Sequence, residues 1–127
     1  FQARRQQMAY RYLDELKDLP IILPPNVKNK QTDLHSWHLF CCQLNTDKIS
    51  RDDLIQQMAD PGVGMSVHFI PLHLHPYWKD FYSLDSKDFP KATQYFNKAF
   101  SLPLYTKMTD EDQTFVIENL TQVLSSC

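Results

Sequence analysis

Gly62-Val63-Gly64-Met65-Ser66-Val67-His68-Phe69-Ile70-Pro71-Leu72-His73-Leu74-His75-Pro76 is the stretch on which the reading of this chain turns. It holds three of the five histidines and both glycines of the chain. From Met65 to Ile70 the residues alternate, and the run stops at Pro71. The alternation predicts a strand over 64–69, with Met65, Val67 and Phe69 on one face and Ser66, His68 and Ile70 on the other. The first set is wholly apolar and suits the core side, which turns His68 to the opposite side. The histidines after Pro71 then fall on a loop at the strand's exit, where a rigid scaffold presents binding residues.

Outward from this stretch the chain alternates helical and extended patterns. Met8, Ala9, Tyr12, Leu13 and Leu16 recur at helical spacing over 2–18, with Arg4, Arg5, Arg11 and Lys17 on the other face. Pro20 to residue 35 is proline-rich and polar, a loop with a short extended piece at Ile21-Ile22-Leu23. Trp37 to Leu44 is a strand by its large apolar content. Ser50 with Asp53 opens a helix with Leu54, Ile55 and Met58 inside, closed by Pro61-Gly62. Pro76 opens a short aromatic helix to Tyr82, and Asp88 is expected to cap a helix from Pro90 to Phe100 with Ala92, Phe96, Ala99 and Phe100 on its inner stripe. Ser101–Leu104 is a third strand. Thr109 and Asp112 start a last helix with Val116, Leu120, Val123 and Leu124 facing in. Helices set over a small, mainly antiparallel sheet define an α+β domain.

These pieces, in this order, resemble the C-terminal part of the DegT/DnrJ/EryC1/StrS family of PLP-dependent sugar aminotransferases. The resemblance rests on Gly62-Val63, His68-Phe69-Ile70-Pro71-Leu72-His73, Phe89-Pro90, Ser101-Leu102-Pro103-Leu104-Tyr105 and Met108-Thr109. Upstream, Arg5, Met8, Ala9, Tyr12 and Leu16 are similar to the family's helix, Trp37-His38-Leu39-Phe40 to its first small-domain strand, and Ser50-Arg51-Asp52-Asp53-Leu54 to the helix that follows. Met65 departs from a common threonine, and Asp60-Pro61 interrupts a helix that in the family runs up to the glycine.

The resemblance implies that residues 1–127 are the C-terminal small domain of a fold-type I aminotransferase, with the large PLP-binding domain absent from this chain. It implies a homodimeric parent that passes an amino group, with glutamate as donor, to a keto sugar nucleotide in polysaccharide or glycan biosynthesis. Transamination on PLP needs a Schiff-base lysine. None of the lysines here has the serine-rich setting that the family gives it, so the chain is expected to be inactive by itself. The first residues, Phe-Gln-Ala-Arg-Arg, lie inside a helical pattern without a methionine and read as part of a longer protein.

Composition narrows the field independently. The 127 residues are 43% hydrophobic and 13% aromatic, with a formal net charge of -2, the balance of a globular domain. No surplus of basic residues favours nucleic acid or an anionic membrane, and no apolar run reaches the ~20 residues of a membrane span. No signal peptide is expected. The three cysteines are too few and too irregular for a disulfide framework, which fits a reducing cytoplasm. Cys41 and Cys42 adjoin on a strand, so one of them is expected inside.

The candidate site residues carry competing readings. His68, His73 and His75 fit a metal, a set of loop hydrogen bonds, or ligand contact at the mouth of an active site. The resemblance favours ligand contact, with His68 first at the family's His-Phe/Tyr position facing the sugar-nucleotide cleft, His73 second, and His75 and Tyr77 by proximity. The rival class is a stand-alone interaction module or histidine-loop metal-binding module without catalysis. Trp37 and His38 fit a core aromatic with a satisfied histidine at the sheet edge. Tyr77, Trp78, Phe81 and Tyr82 fit either base stacking or packing of a short helix onto the core. Arg4 and Arg5 fit a phosphate contact or a solvated helix face.

Overall fold

Phe40, Cys42 and Leu44 point into the core while Cys41 and Gln43 stay half-buried, the period-2 signature of a strand covered on one face. This strand, β2 (Phe40–Leu44), is the centre of a three-stranded antiparallel sheet in the computed structural model, which describes residues 1–25 and 35–125. β1 (Ile21–Ile22) pairs on one side with Ile21 opposite Leu44, and β3 (Ala99–Leu102) pairs on the other with Phe40 opposite Leu102. Cys42 is the buried member of the cysteine pair, as its place on the strand requires. Cys127 lies outside the described residues.

Three helices cover the sheet's inner face. α1 (Gln2–Glu15) buries Met8, Ala9 and Tyr12, and Leu16 follows just beyond its end. α2 (Arg51–Ala59) starts at Ser50, whose side chain accepts from the Asp53 N–H, and buries Leu54 and Met58. α5 (Asp110–Ser125) begins with a reciprocal cap: the Thr109 N–H donates to Asp112 Oδ2 at 2.9 Å, and the Asp112 N–H donates to Thr109 Oγ1 at 3.0 Å. Its inner face is Val116, Ile117, Leu120 and Leu124, plus Gln113, whose buried amide donates to the Met8 carbonyl at 2.8 Å. The α+β architecture is the one the pattern predicts.

The basic face of α1 is not left to solvent. Arg4 donates to the Met108 carbonyl at 2.8 Å and pairs with Asp110 at 2.7 Å; Arg11 donates to the Asp110 carbonyl at 2.9 Å and to Thr114 Oγ1 at 2.7 Å. The two arginines therefore hold the start of α5 against α1, in place of the solvated face expected from charge pattern alone.

The stretch over 64–69 departs from the expected strand. It joins the sheet through a single bridge, Ser66 with Ser101, and then leaves. Alternation sorts side chains only while a partner strand enforces it, and beyond Ser66 none does. Met65 is half-buried against the core, but Val67 is exposed and Phe69 is 99% exposed, so the apolar set does not face inward. α3 (Pro76–Tyr82) has the predicted limits, yet it buries no residue; Tyr77 stacks on Phe81 and Trp78 on Tyr82 instead of on the core.

α4 (Pro90–Lys98) is shorter than the pattern predicts. Asp88 does not cap it: Phe89 holds the N-cap position without a side-chain bond, and Asp85 caps the preceding turn at Ser86–Asp88. Ala99 and Phe100 are buried as strand residues rather than as a helix stripe, and Ala92 is exposed. Arg51 explains the early end. Its guanidinium lies over the Phe96 ring at 5.3 Å and donates to the Phe96 carbonyl at 2.9 Å, the acceptor that the Phe100 N–H would use in a longer helix, and to the Ala99 carbonyl at 3.2 Å.

Two outcomes follow. Arg51→Met should lower unfolding stability by about 1.5–3 kcal/mol in urea denaturation, since both carbonyls lose a charge-assisted bond; an unchanged midpoint would remove Arg51 from this role. Burial raises the Tyr12 hydroxyl above its ordinary 10.0 and the Cys42 thiol above its ordinary 9.0. Groups raised in the folded state stabilise it fully below their unfolded values and lose that contribution as pH climbs past them. Stability should therefore decline above about pH 9, and Tyr12→Phe with Cys42→Ala should flatten that decline.

Candidate active-site surface

The bridge at Ser66 fixes where the histidine loop leaves the sheet, and the loop then folds back beside the start of β2. Between them lies a groove of ≈ 550 Å³ lined by His38, Leu39, Ser66, His68, Ile70 and His75 among others. A smaller hollow of ≈ 190 Å³ continues from His38 and Ser66 towards Ser101 and Leu104. Concave sites of this size with a few convergent polar groups are where small molecules bind.

The predicted residues divide. His68 is half-buried on the groove, with Nε2 bonded to Ser101 Oγ at 2.7 Å, so β3 fixes its ring and leaves Nδ1 for another partner. His75 shares the groove, at the turn where the chain enters α3. His73 stands outside that lining: only 5% exposed, it bonds Thr93 Oγ1 at 2.8 Å and stacks on Phe89 at 4.7 Å, which ties the loop to α4. Tyr77 is also outside the lining, on the exposed aromatic face of α3.

His38 is the residue that sequence reasoning placed at a satisfied sheet edge. It is exposed on the groove instead. By alternation it belongs on the Phe40 face, but strand alternation does not hold here: Trp37, with φ of 46°, and Phe40 are buried, and both His38 and Leu39 between them are exposed. No sequence signal foretells a left-handed tryptophan. Its other histidine neighbour, His35, accepts from the Trp37 N–H through Nδ1 at 2.9 Å.

Two kinds of chemistry can be tested against these side chains. Among the described residues no three His, Cys, Asp or Glu side chains are grouped to hold a metal ion. Nor does a described lysine fit a Schiff base with PLP: most are exposed, and Lys98 is paired with Asp47 at 3.0 Å.

The chain belongs to the DegT/DnrJ/EryC1/StrS aminotransferase family, whose profile matches residues 1–121. It is 36% identical to the spore coat polysaccharide biosynthesis protein SpsC of Bacillus subtilis, over 97% of this chain and 32% of SpsC. Among solved structures it is similar to Spr1654 of Streptococcus pneumoniae, known in apo, PMP and PLP forms, with TM-score 0.84 and 28% identity over 98% of this chain and 31% of that one. It is also similar to DesV of S. venezuelae in complex with a ketimine intermediate, with TM-score 0.82 and 26% identity over 98% of this chain and 32% of DesV. The chain thus spans about a third of the length of these relatives.

Because His68 is bonded to Ser101 and the described histidines are not grouped as a ligand set, excess chelator should leave the melting temperature of the chain unchanged. A loss restored by zinc would establish a metal centre in its place.

Proposed function

We propose that residues 1–127 are the C-terminal small domain of a PLP-dependent aminotransferase, homodimeric and cytoplasmic, that transfers an amino group from glutamate to a keto sugar nucleotide for polysaccharide or glycan biosynthesis. The observation that carries this reading is the histidine groove, held by His68 on Ser101, within a chain that matches the family over 1–121. The sugar-polysaccharide assignment of SpsC supports the substrate class. The PLP and PMP forms of Spr1654 support the cofactor, which in the parent protein supplies the electron sink for amino transfer. The unburied aromatic face of α3 supports a domain that is covered by further protein in the parent. Among the described residues no helix is long and apolar enough to cross a membrane.

In this reading the domain binds and orients. His68, with Nε2 committed to Ser101, offers Nδ1 to a sugar hydroxyl, and a ring fixed in advance holds the sugar at lower entropic cost. His75 lies along the same groove, where it extends the polar contacts beyond His68. Leu39, Val67 and Ile70 form the apolar wall that keeps water from competing for those contacts.

In the full-length parent, His68→Ala should lower kcat/KM for the sugar nucleotide by about two- to tenfold, the value of one neutral hydrogen bond, while the half-reaction with the amino donor is unchanged. His68→Gln, whose amide can take the place of Nε2 and keep a bond to Ser101, guards against misfolding as the cause. Wild-type sugar kinetics in both variants would sink the assignment. The 127-residue chain, mixed with PLP and reduced with borohydride, should take label on several exposed lysines without preference. Stoichiometric label at one lysine would show that the chain carries the cofactor site itself.

A further inference from the structure

We propose that the cleft between the turn at Gly62 and the start of α5 is a second binding site, and that it takes an organic ammonium ion with an apolar body. Its lining calls for the opposite charge to that of a sugar nucleotide, so the inference does not rest on the function proposed above.

The first argument is shape. The cleft measures ≈ 670 Å³, within the range of small-molecule sites. Its walls follow from the fold. The Gly62 N–H donates to the Ala59 carbonyl and the Val63 N–H to the Met58 carbonyl, both at 2.9 Å, so the chain reverses at the end of α2 and returns Val63 to the core. Across from it, the Met108 N–H donates to the Tyr105 carbonyl at 3.1 Å, and that turn leads into α5. Val63, Met108 and Val116 are buried and make an apolar floor, while Tyr105 and Phe115, 48% and 46% exposed, line the opening. The remaining wall is bare backbone: a Cβ at Gly62 or Gly64 would meet nothing within 4 Å.

The second argument is charge. Asp110, Glu111 and Asp112 occupy the first turn of α5, where the positive end of the helix favours acids. Asp110 is paired with Arg4 at 2.7 Å, and Asp112 spends Oδ2 on the Thr109 N–H. Among the described residues the Glu111 carboxylate makes neither a hydrogen bond nor an ion pair, and it lines the cleft beside Asp112. No described lysine, arginine or histidine shares that lining. Carboxylates without a countercharge, above an apolar floor, suit a cation that brings its own apolar surface, and the faces of Tyr105 and Phe115 add cation–π attraction. An uncharged apolar ligand would cover Glu111 without giving it a partner, at a desolvation cost. A bare metal ion is disfavoured by the floor, and among the described residues no three ligating side chains are grouped to hold one.

The test is an NMR titration of the 127-residue chain with 2-phenylethylammonium, and with 2-phenylethanol and 3-phenylpropionate as its neutral and anionic analogues. The ammonium should shift the methyl signals of Val63, Met108 and Val116 along one binding curve and leave the rings of His38, His68 and His75 in place. The alcohol should bind more weakly, and the carboxylate more weakly still. Glu111→Gln, at an exposed position, should weaken ammonium binding about threefold, a difference that disappears in 1 M salt. Phe115→Leu, which keeps an apolar wall without a ring, should also weaken it about threefold. Unmoved methyl signals, equal affinity for the ammonium and the alcohol, tighter binding of the carboxylate, or an unchanged dissociation constant in Glu111→Gln would each overturn the site. Tighter binding of acetyl-phenylalanyl-arginine amide than of the simple ammonium would overturn the small ligand and give the cleft to a protein segment.

Discussion

The packing of Phe40 between Tyr12 and Trp37 is the contact on which the domain depends. The strands are two, five and four residues long, too little ladder to persist without a hydrophobic face. Phe40 lies 5.0 Å from the Tyr12 ring and 5.9 Å from Trp37, so the middle strand is seated on a side chain from α1 and on one from its own approach. A buried aromatic contributes about 1.5–3 kcal/mol by area alone, and these three are mutually buried. The Tyr12 hydroxyl also donates to the Pro103 carbonyl at 3.0 Å, which links α1 to the exit of β3 and keeps the third strand in register.

That arrangement uses the inner face of the sheet and leaves the histidine groove at its margin. β3 has Ser101 bonded to Ser66 through the backbone and to His68 through the side chain, so a single buried serine sets both where the loop leaves and how its first histidine is turned. Beyond it, His73 is bound to Thr93, whose hydroxyl also donates to the Ser86 carbonyl. The second histidine therefore braces the excursion over 67–98, while the first and third face the groove. Chemically equivalent side chains in one short motif are divided by burial: His73 is enclosed between Thr93 and Phe89, whereas His68 and His75 line the groove.

The core and the ends of the covering helices were legible in the sequence because periodicity and capping are local. Met8, Ala9 and Tyr12 give the phase of α1, and Thr109 with Asp112 gives the start of α5. The misreadings share one cause, a tertiary partner with no local trace. Arg51 ends α4 from another helix, and the strand expected over 64–69 dissolves because only Ser66 meets a neighbour. The aromatic run of α3 gave a helix of the right length but not its environment, since a seven-residue helix with no buried face looks the same in sequence as one packed on a core. Of the histidine motif, His68 and His75 line the groove and His73 does not, and the exposure of His38 beside them follows no local periodicity.

The backbone at Trp37 also shows how the site depends on the core. Arg5 lies four residues before Ala9 and seven before Tyr12, on the flank of α1 next to the buried stripe. Burial of Ala9 and Tyr12 fixes the rotation of the helix, and that rotation brings the Arg5 guanidinium to the carbonyls of Trp37 and His38. A left-handed tryptophan persists only where its surroundings over-determine it. Here the determinants are a buried ring, a histidine acceptor and an arginine whose reach is set by packing elsewhere on the same helix. The backbone beside the groove is thus tied to the phase of α1 through Arg5, so a change in the core beneath that helix would reach the carbonyls of Trp37 and His38.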